Sequence, residues 1–87
     1  MQGNCFLCGR YGYTERHHIF GGALRAKSER YGLWVDLCHY CHNEPPTGVH
    51  HNAKTMLCLH QYGQKKAMKE NNWSKEDFMR EFYKNYL

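Results

Sequence analysis

Two short cysteine motifs decide the fold of this chain: Cys5-Phe6-Leu7-Cys8 and Cys38-His39-Tyr40-Cys41. Two residues between paired cysteines let both sulfurs reach one tetrahedral ion at ~2.3 Å, and a second pair completes a set of four thiolate ligands. The two motifs therefore predict a closed structural zinc site made by Cys5, Cys8, Cys38 and Cys41. Because four sulfurs leave no open position on the ion, its role would be to hold the fold together.

The length of the chain explains why such a site is needed. With 87 residues there is room for a single domain, residues 1–87. A chain of this size buries only roughly 60–65% of its unfolded surface, so an apolar core alone would leave it marginally stable. A metal ion or disulfides would supply the missing stability.

Zinc is favoured over the other uses of paired cysteines. The first residues lack the basic and apolar regions of an export signal, so we expect a cytoplasmic protein whose thiols stay reduced. A redox CxxC motif is expected near a βαβ unit, which this sequence does not predict. No apolar run approaches the ~20 residues that cross a bilayer, so we expect no membrane association.

Two strands are predicted between the cysteine motifs. A short strand over residues 13–20 should end at Gly21-Gly22, and residues 23–31 should form a brief helical or irregular turn that ends at Gly32. The β-rich, roughly alternating segment 33–37 predicts a second strand that leads into Cys38.

Two helices are predicted after the breaker Pro45-Pro46. Apolar residues recur at helical spacing from Val49 to Ala67, and we expect Cys58 to pack on this long helix. A C-terminal helix covers about residues 74–87, with Ser74 as its N-cap and Trp73 stapled onto one of its first apolar residues, Phe78. Its buried face is expected to contain Phe78, Phe82, Tyr83, Tyr86 and Leu87.

Seven histidines accompany the five cysteines, and five of them form three tight groups: His17-His18, His42 and His50-His51. A single histidine is more often an ordinary surface or core residue, but three groups call for another explanation. A site that cleaves phosphodiester bonds needs a divalent ion and a base with a pKa near neutrality. Imidazole meets both needs, as a neutral ligand and as a base. His39 and His60 receive no role.

The order of these motifs resembles that of phage-type HNH endonucleases. The similarity covers roughly residues 5–60 and includes the cysteine pairs together with three further segments: Glu15-Arg16-His17-His18-Ile19-Phe20, Leu37-Cys38-His39-Tyr40-Cys41-His42-Asn43 and Gly48-Val49-His50-His51. The resemblance implies a small α+β fold with a ββα-metal (His-Me finger) core at about residues 5–70, stapled by the zinc knuckle pair, and an additional C-terminal helix. It implies a metal-dependent DNA endonuclease, a phosphodiester hydrolase encoded by a phage or prophage and active in the bacterial host cytoplasm.

The resemblance also implies roles for individual histidines. In this family the first histidine of the pair binds the catalytic ion and the second is the general base, which would be His17 and His18. The family's third metal-binding residue comes from the helix after the second strand, and His42 and His50 are both candidates for it. His50 is favoured because Pro45-Pro46 should end any helix begun at Cys41. His51 is a further candidate. The catalytic ion is left open among Mg²⁺, Mn²⁺, Ni²⁺ and Zn²⁺, since imidazole-rich sites accept several metals.

One feature departs from the family pattern. The middle Asn of the HNH motif, which orients the base, has no counterpart because residues 19–37 contain no Asn. The open candidates for holding His18 are Glu29, Asp36, Asn43, Asn52 and a backbone carbonyl.

A modest positive charge fits either an ordinary solvated surface or one that binds phosphates, and the resemblance to HNH endonucleases favours DNA as the partner. The formal net charge is +4, and Arg16, Arg25, Lys27 and Lys54 are expected to contact the DNA backbone in a salt-dependent, largely sequence-independent way. The alternative is a non-catalytic zinc-finger module that binds DNA or a protein. The sequence leaves the oligomeric state open, a dimer included.

Overall fold

Two separate two-stranded antiparallel sheets and four helices make up the computed structural model, which describes all 87 residues. In the first sheet, β1 (Gln2–Asn4) pairs with β2 (Tyr11–Tyr13). In the second, β3 (Glu15–His18) pairs with β4 (Trp34–Leu37). The expectation of a small α+β fold with a second strand near residues 33–37 is confirmed.

The strand expected over residues 13–20 is present but shorter, as β3, because the chain changes sheets at Thr14. The Thr14 side chain is buried, and its backbone N–H donates to the carbonyl of Met1 at 2.7 Å. This hydrogen bond closes the first hairpin, and the next residue begins β3. The first cysteine motif lies in the loop of that hairpin, between β1 and β2.

The helices follow the predicted order with shifted bounds. A 3-10 turn (Gly22–Leu24) leads into α1 (Arg25–Arg30), and α2 (His39–Asn43) ends before Pro45-Pro46 as expected. A 3-10 turn (Val49–His51) precedes α3 (Ala53–Asn71). The long helix starts after His50-His51 rather than with them, since the Asn52 side chain accepts from the N–H of Thr55 and caps it. No helix is both long and apolar enough to cross a bilayer.

The C-terminal helix α4 (Lys75–Phe82) begins as predicted but ends five residues early. Ser74 and Asp77 form a reciprocal capping box at its start. At its end Tyr83 adopts a left-handed conformation with φ 68°, and the remaining residues turn back towards α3. There the buried Gln64 accepts from the N–H of Tyr86 at 2.7 Å and donates to Asn85 at 2.9 Å. These hydrogen bonds replace the helical ones expected over 83–87.

The core consists of eleven buried side chains drawn from most of the chain, and Phe20 lies at its centre. The Phe20 ring contacts Phe78, Phe82 and Tyr86, and it stacks on His60 at 5.2 Å. The eleven are Cys5, Ile19, Phe20, Leu33, Val35, Leu37, Val49, Leu59, Ala67, Phe78 and Phe82.

The packing expected for Tyr83, Leu87 and Cys58 is wrong, because all three residues are exposed. Tyr83 is 73% exposed because the left-handed turn directs it away from the core, and Leu87 is 40% exposed at the chain end. Cys58 is exposed because it lies on the outer side of α3. Trp73 packs edge-on against Tyr31, with ring centroids 5.0 Å apart, and so joins α1 to the start of α4.

Gly63 allows α3 to approach the end of β3 closely. A Cβ atom at this position would lie 2.7 Å from Ile19 Cγ2 and 3.0 Å from Phe20 Cε2. Glycine in a helix interior costs ~1 kcal/mol relative to alanine. The close contact between α3 and the end of β3 explains why glycine occupies this position despite its low helix propensity.

We therefore expect Gly63→Ala to destabilise the protein by about 1–3 kcal/mol, despite the better helix propensity of alanine, because the new methyl group overpacks the core. Thermal and urea unfolding of the zinc-loaded protein would measure the change. Gly21→Ala is the matched control, since a Cβ there meets nothing within 4 Å. An unfolding temperature of Gly63→Ala at or above that of the wild type would contradict the close-contact explanation.

Candidate functional site

The four predicted cysteines converge on one point. Cys5 and Cys8 come from the loop of the first hairpin, Cys38 follows β4, and Cys41 lies in α2. Their sulfur atoms all lie within 4.8 Å of one another, and Cys8 Sγ is 3.8 Å from Cys38 Sγ. Two sulfurs bound to one tetrahedral ion at ~2.3 Å lie roughly 3.8 Å apart. The cluster is therefore positioned to hold a metal ion such as zinc.

The surroundings of Cys5 favour a thiolate. Burial acts to raise the pKa of the Cys5 thiol, but hydrogen bonds from backbone N–H groups, including that of Cys8, outweigh burial and lower the pKa to about 6. Burial and the neighbouring thiols raise the pKa of Cys41. A cation between the sulfurs would draw off the remaining protons, as thiolates are the ligand form of cysteine.

Removal of this ion is expected to unfold the domain. A chelator, or the substitution Cys8→Ser, should abolish the cooperative thermal transition, because site formation and folding are coupled. Metal analysis should find zinc bound to the wild-type chain and lost from Cys8→Ser, and far-UV circular dichroism should report the loss of structure. Cys58→Ser is the matched control, since Cys58 is exposed and outside the cluster. Equal zinc loss in both variants would contradict the assignment.

Three histidines form a second cluster. His17 comes from β3, His42 from α2 and His50 from the 3-10 turn before α3. One ring nitrogen from each lies within 4.8 Å of the other two, and the Nε2 atoms of His42 and His50 are 3.1 Å apart. Two imidazole nitrogens bound to one ion at ~2.1 Å lie roughly 3.0–3.4 Å apart. The set therefore has the donor type and spacing of a metal site.

His17 is the buried member of this cluster. Only 4% of the residue is exposed, and its Nε2 atom is buried with no hydrogen-bond partner. An unpaired buried polar atom costs ~1–3 kcal/mol, which a metal ligand bond would offset. Burial, and then the nearby His42 and His50, lower the pKa of His17 to about 4. The ring is neutral at pH 7, as a metal ligand must be.

Glu15 orients His42. The Nδ1–H of His42 donates to Glu15 Oε1 at 2.8 Å, which leaves the Nε2 lone pair directed at His50. A carboxylate on the outer nitrogen is the usual support of a metal-binding histidine. Glu15 and His17 share one face of β3, because residues two apart in a strand point the same way. Glu15 lies in the sequence motif, but no role was predicted for it. Its position two residues before His17, on the same face of the strand, was the signal that could have identified it.

Gly48 brings His50 to the cluster. The residue is buried, and a Cβ atom there would lie 2.7 Å from the backbone nitrogen of Glu44 and 2.9 Å from the carbonyl carbon of Asn43. Only glycine lets the chain after Pro45-Pro46 return this closely to the end of α2. Both helix-side candidates, His42 and His50, therefore meet His17, whereas His51 is exposed and outside the cluster.

His18 is held by α1 through both ring nitrogens. Its Nε2 atom lies 2.9 Å from Glu29 Oε1, and its Nδ1 atom accepts from Arg25 Nε at 3.3 Å. Glu29 Oε2 also accepts a hydrogen bond from the Arg16 guanidinium at 3.1 Å. The hydrogen bond to His18 and the charge of Arg16 hold the pKa of Glu29 below its usual value. Of the open candidates for orienting His18, Glu29 is the one in contact with it.

A cleft of about 200 Å³ joins the two groups of histidines. His17, His42 and His50 line one part, and His18 with Gly21, Arg16 and Arg25 lines the rest. His17 and His18 share this cleft although neighbouring strand residues point to opposite faces. They do so because β3 ends at His18.

The four basic residues predicted to contact DNA are distributed unevenly. Arg16 and Arg25 line the cleft, and the Arg16 guanidinium lies 4.1 Å from the centre of the Trp34 ring. Lys27 instead ties α1 to α4, because its ammonium donates to the carbonyl of Glu81 at 2.7 Å. Lys54 is exposed in the first turn of α3. His39, exposed beside Glu15 and Glu44, is outside both clusters.

No protein-family model, curated protein or solved structure matches this chain.

Proposed function

We propose that this protein is a metal-dependent DNA endonuclease of the HNH type, with β3, β4 and α2 as a ββα-metal core. The observation that carries the proposal is the unpaired, buried Nε2 atom of His17 beside His42 and His50, in the same cleft as His18. A metal cluster and a base in one cleft are the two components that phosphodiester hydrolysis requires.

Two metal sites would have different tasks. The four cysteines would hold a structural Zn²⁺, and His17, His42 and His50 would hold a catalytic divalent ion, Mg²⁺, Mn²⁺, Ni²⁺ or Zn²⁺. When bound, the catalytic ion supplies positive charge that neutralises the scissile phosphate and the leaving oxygen. The closed four-cysteine site offers no position for substrate, whereas the cleft over the histidines is open.

His18 acts as the general base in this mechanism. With the Nε2 proton shared with Glu29, the lone pair lies on Nδ1, the atom to which Arg25 donates. His18 Nδ1 takes a proton from water, and the water oxygen attacks the phosphorus in line with the leaving 3′ oxygen. The negative charge of Glu29 stabilises the imidazolium that forms, so Glu29 fulfils the orienting role of the family's Asn.

Arg25 has to release His18 before the reaction. Its Nε atom is 3.3 Å from His18 Nδ1, a long contact to a neutral acceptor. A phosphate is a stronger partner for a guanidinium, because it accepts paired, charge-assisted hydrogen bonds. Arg25 therefore moves to the entering phosphate and frees Nδ1 for water. The leaving 3′ oxygen takes a proton from solvent water and His18 returns its proton to the solvent, so the products are a 5′-phosphate and a 3′-hydroxyl end.

Plasmid nicking tests this proposal. We expect the zinc-loaded protein to convert supercoiled plasmid to the open circular form with at least one of Mg²⁺, Mn²⁺, Ni²⁺ and Zn²⁺. His18→Ala should lower the rate by ~10²–10⁴-fold, the usual contribution of a general base. Gel densitometry over time would measure both rates.

His51→Ala is the matched control for this assay, since His51 is exposed and outside the cluster. It should nick plasmid at the wild-type rate. Equal nicking by His18→Ala and the wild type, or no nicking with any metal, would overturn the proposal. DNA binding without nicking would support the non-catalytic zinc-finger alternative.

Glu15 is expected to affect metal affinity. Glu15→Ala should weaken Ni²⁺ binding to the histidine cluster by ~10–100-fold, because His42 loses the carboxylate that orients it. Calorimetric titration of zinc-loaded protein would measure the dissociation constant independently of activity. Glu44→Ala is the control, since Glu44 contacts His39 at 3.2 Å and no member of the cluster. Equal Ni²⁺ affinities of the two variants would exclude this role.

A further inference from the structure

A second groove lies along the outer face of α3, away from the histidine cleft. Its volume is about 520 Å³, and it is lined by Tyr62, Lys65, Lys66, Lys69 and Glu70. The groove shares no lining residue with the histidine cleft.

The groove carries unneutralised positive charge. Lys66 is engaged, since its ammonium donates to the carbonyl of Gly32 at 2.8 Å and lies 3.7 Å from Glu70. Lys65 and Lys69 are exposed and have no acidic partner in the structure. Four residues apart on one helix, they face the same side and repel each other. An anionic ligand along this face would relieve that repulsion.

Two exposed aromatic rings stand at one end of the groove. Tyr62 is 38% exposed and Phe6 is 47% exposed, and their ring centroids are 4.9 Å apart. Phe6 lies between Cys5 and Cys8, and its N–H donates to the carbonyl of Asp36 at 2.8 Å. The ring pair is thus held by the cysteine cluster on one side and by α3 on the other.

We propose that this groove binds a single-stranded segment of DNA. Lysines that follow the backbone beside aromatic rings that stack on bases are the combination used for single strands. A duplex keeps its bases stacked on one another, so no base face would be available to stack on Tyr62 or Phe6. The inference deepens the proposed function: the substrate would carry unpaired nucleotides beside the cleavage position.

Fluorescence anisotropy with a labelled 12-nucleotide single strand and a 12-base-pair duplex tests the groove. The protein is the zinc-loaded 87-residue chain carrying His18→Ala, so that the probes stay intact. Tyr62→Ala should weaken single-strand binding at least fivefold and leave duplex binding unchanged, whereas Tyr62→Phe should restore it. The double variant Lys65→Ala/Lys69→Ala should lower the slope of log affinity against log salt by about 1.4 for the single strand.

The charge-matched control is Lys75→Ala/Lys84→Ala, which removes two positive charges from α4 and the C-terminal segment. Zinc content and circular dichroism would verify the fold of every variant. An equal loss in the control, an unchanged affinity in Tyr62→Ala, or an equal loss for the duplex would overturn the inference. Because this assay measures binding alone, its result is independent of the plasmid assay. The groove can bind a single strand in a protein that does not nick plasmid, and a protein that nicks plasmid can lack single-strand binding in the groove.

Discussion

The convergence of four cysteines is the constraint on which the rest of the structure depends. The cluster joins the loop of the first hairpin to the junction of β4 and α2, two segments separated by thirty residues between Cys8 and Cys38. That junction determines where α2 begins. Since His42 directly follows Cys41, the cluster also sets the position of the first histidine on the helical side. The cysteine cluster therefore supports both the stability of the fold and the position of His42 in the candidate site.

The histidine cleft combines segments that are short and weakly helical in themselves. α2 has only five residues, and isolated helices of that length do not persist in water. Tertiary contacts hold its residues in place, with Glu15 on one side of His42 and His50 on the other. The proposed reaction needs this rigidity, because a metal site and a base must keep their separation to act on one phosphate.

The prediction from sequence was strongest where the signal is local. The CxxC spacing identified all four cysteines of the cluster, and Ser74 marked the start of α4. The prediction failed where a contact with a residue far away in the sequence decides the local structure. Residues 83–87 have the apolar spacing of a helix, but hydrogen bonds to the buried Gln64 of α3 turn them back. Similarly, Pro45-Pro46 suggested a choice between His42 and His50, whereas the close return of the chain at Gly48 places His50 beside His42, and both meet His17.

By itself, the sequence determined the four cysteines of the cluster, the strand β4, the long helix α3, the start of α4, and the set of histidines from which a site would form. These depend on residue type and on spacings of two to four residues, which local backbone geometry converts directly into structure. Only the tertiary structure decided that Glu29 rather than Asp36, Asn43 or Asn52 contacts His18, and that His51 remains outside the histidine cluster. Those outcomes depend on packing between distant segments, because the distance between two side chains far apart in the chain is set by the elements that lie between them.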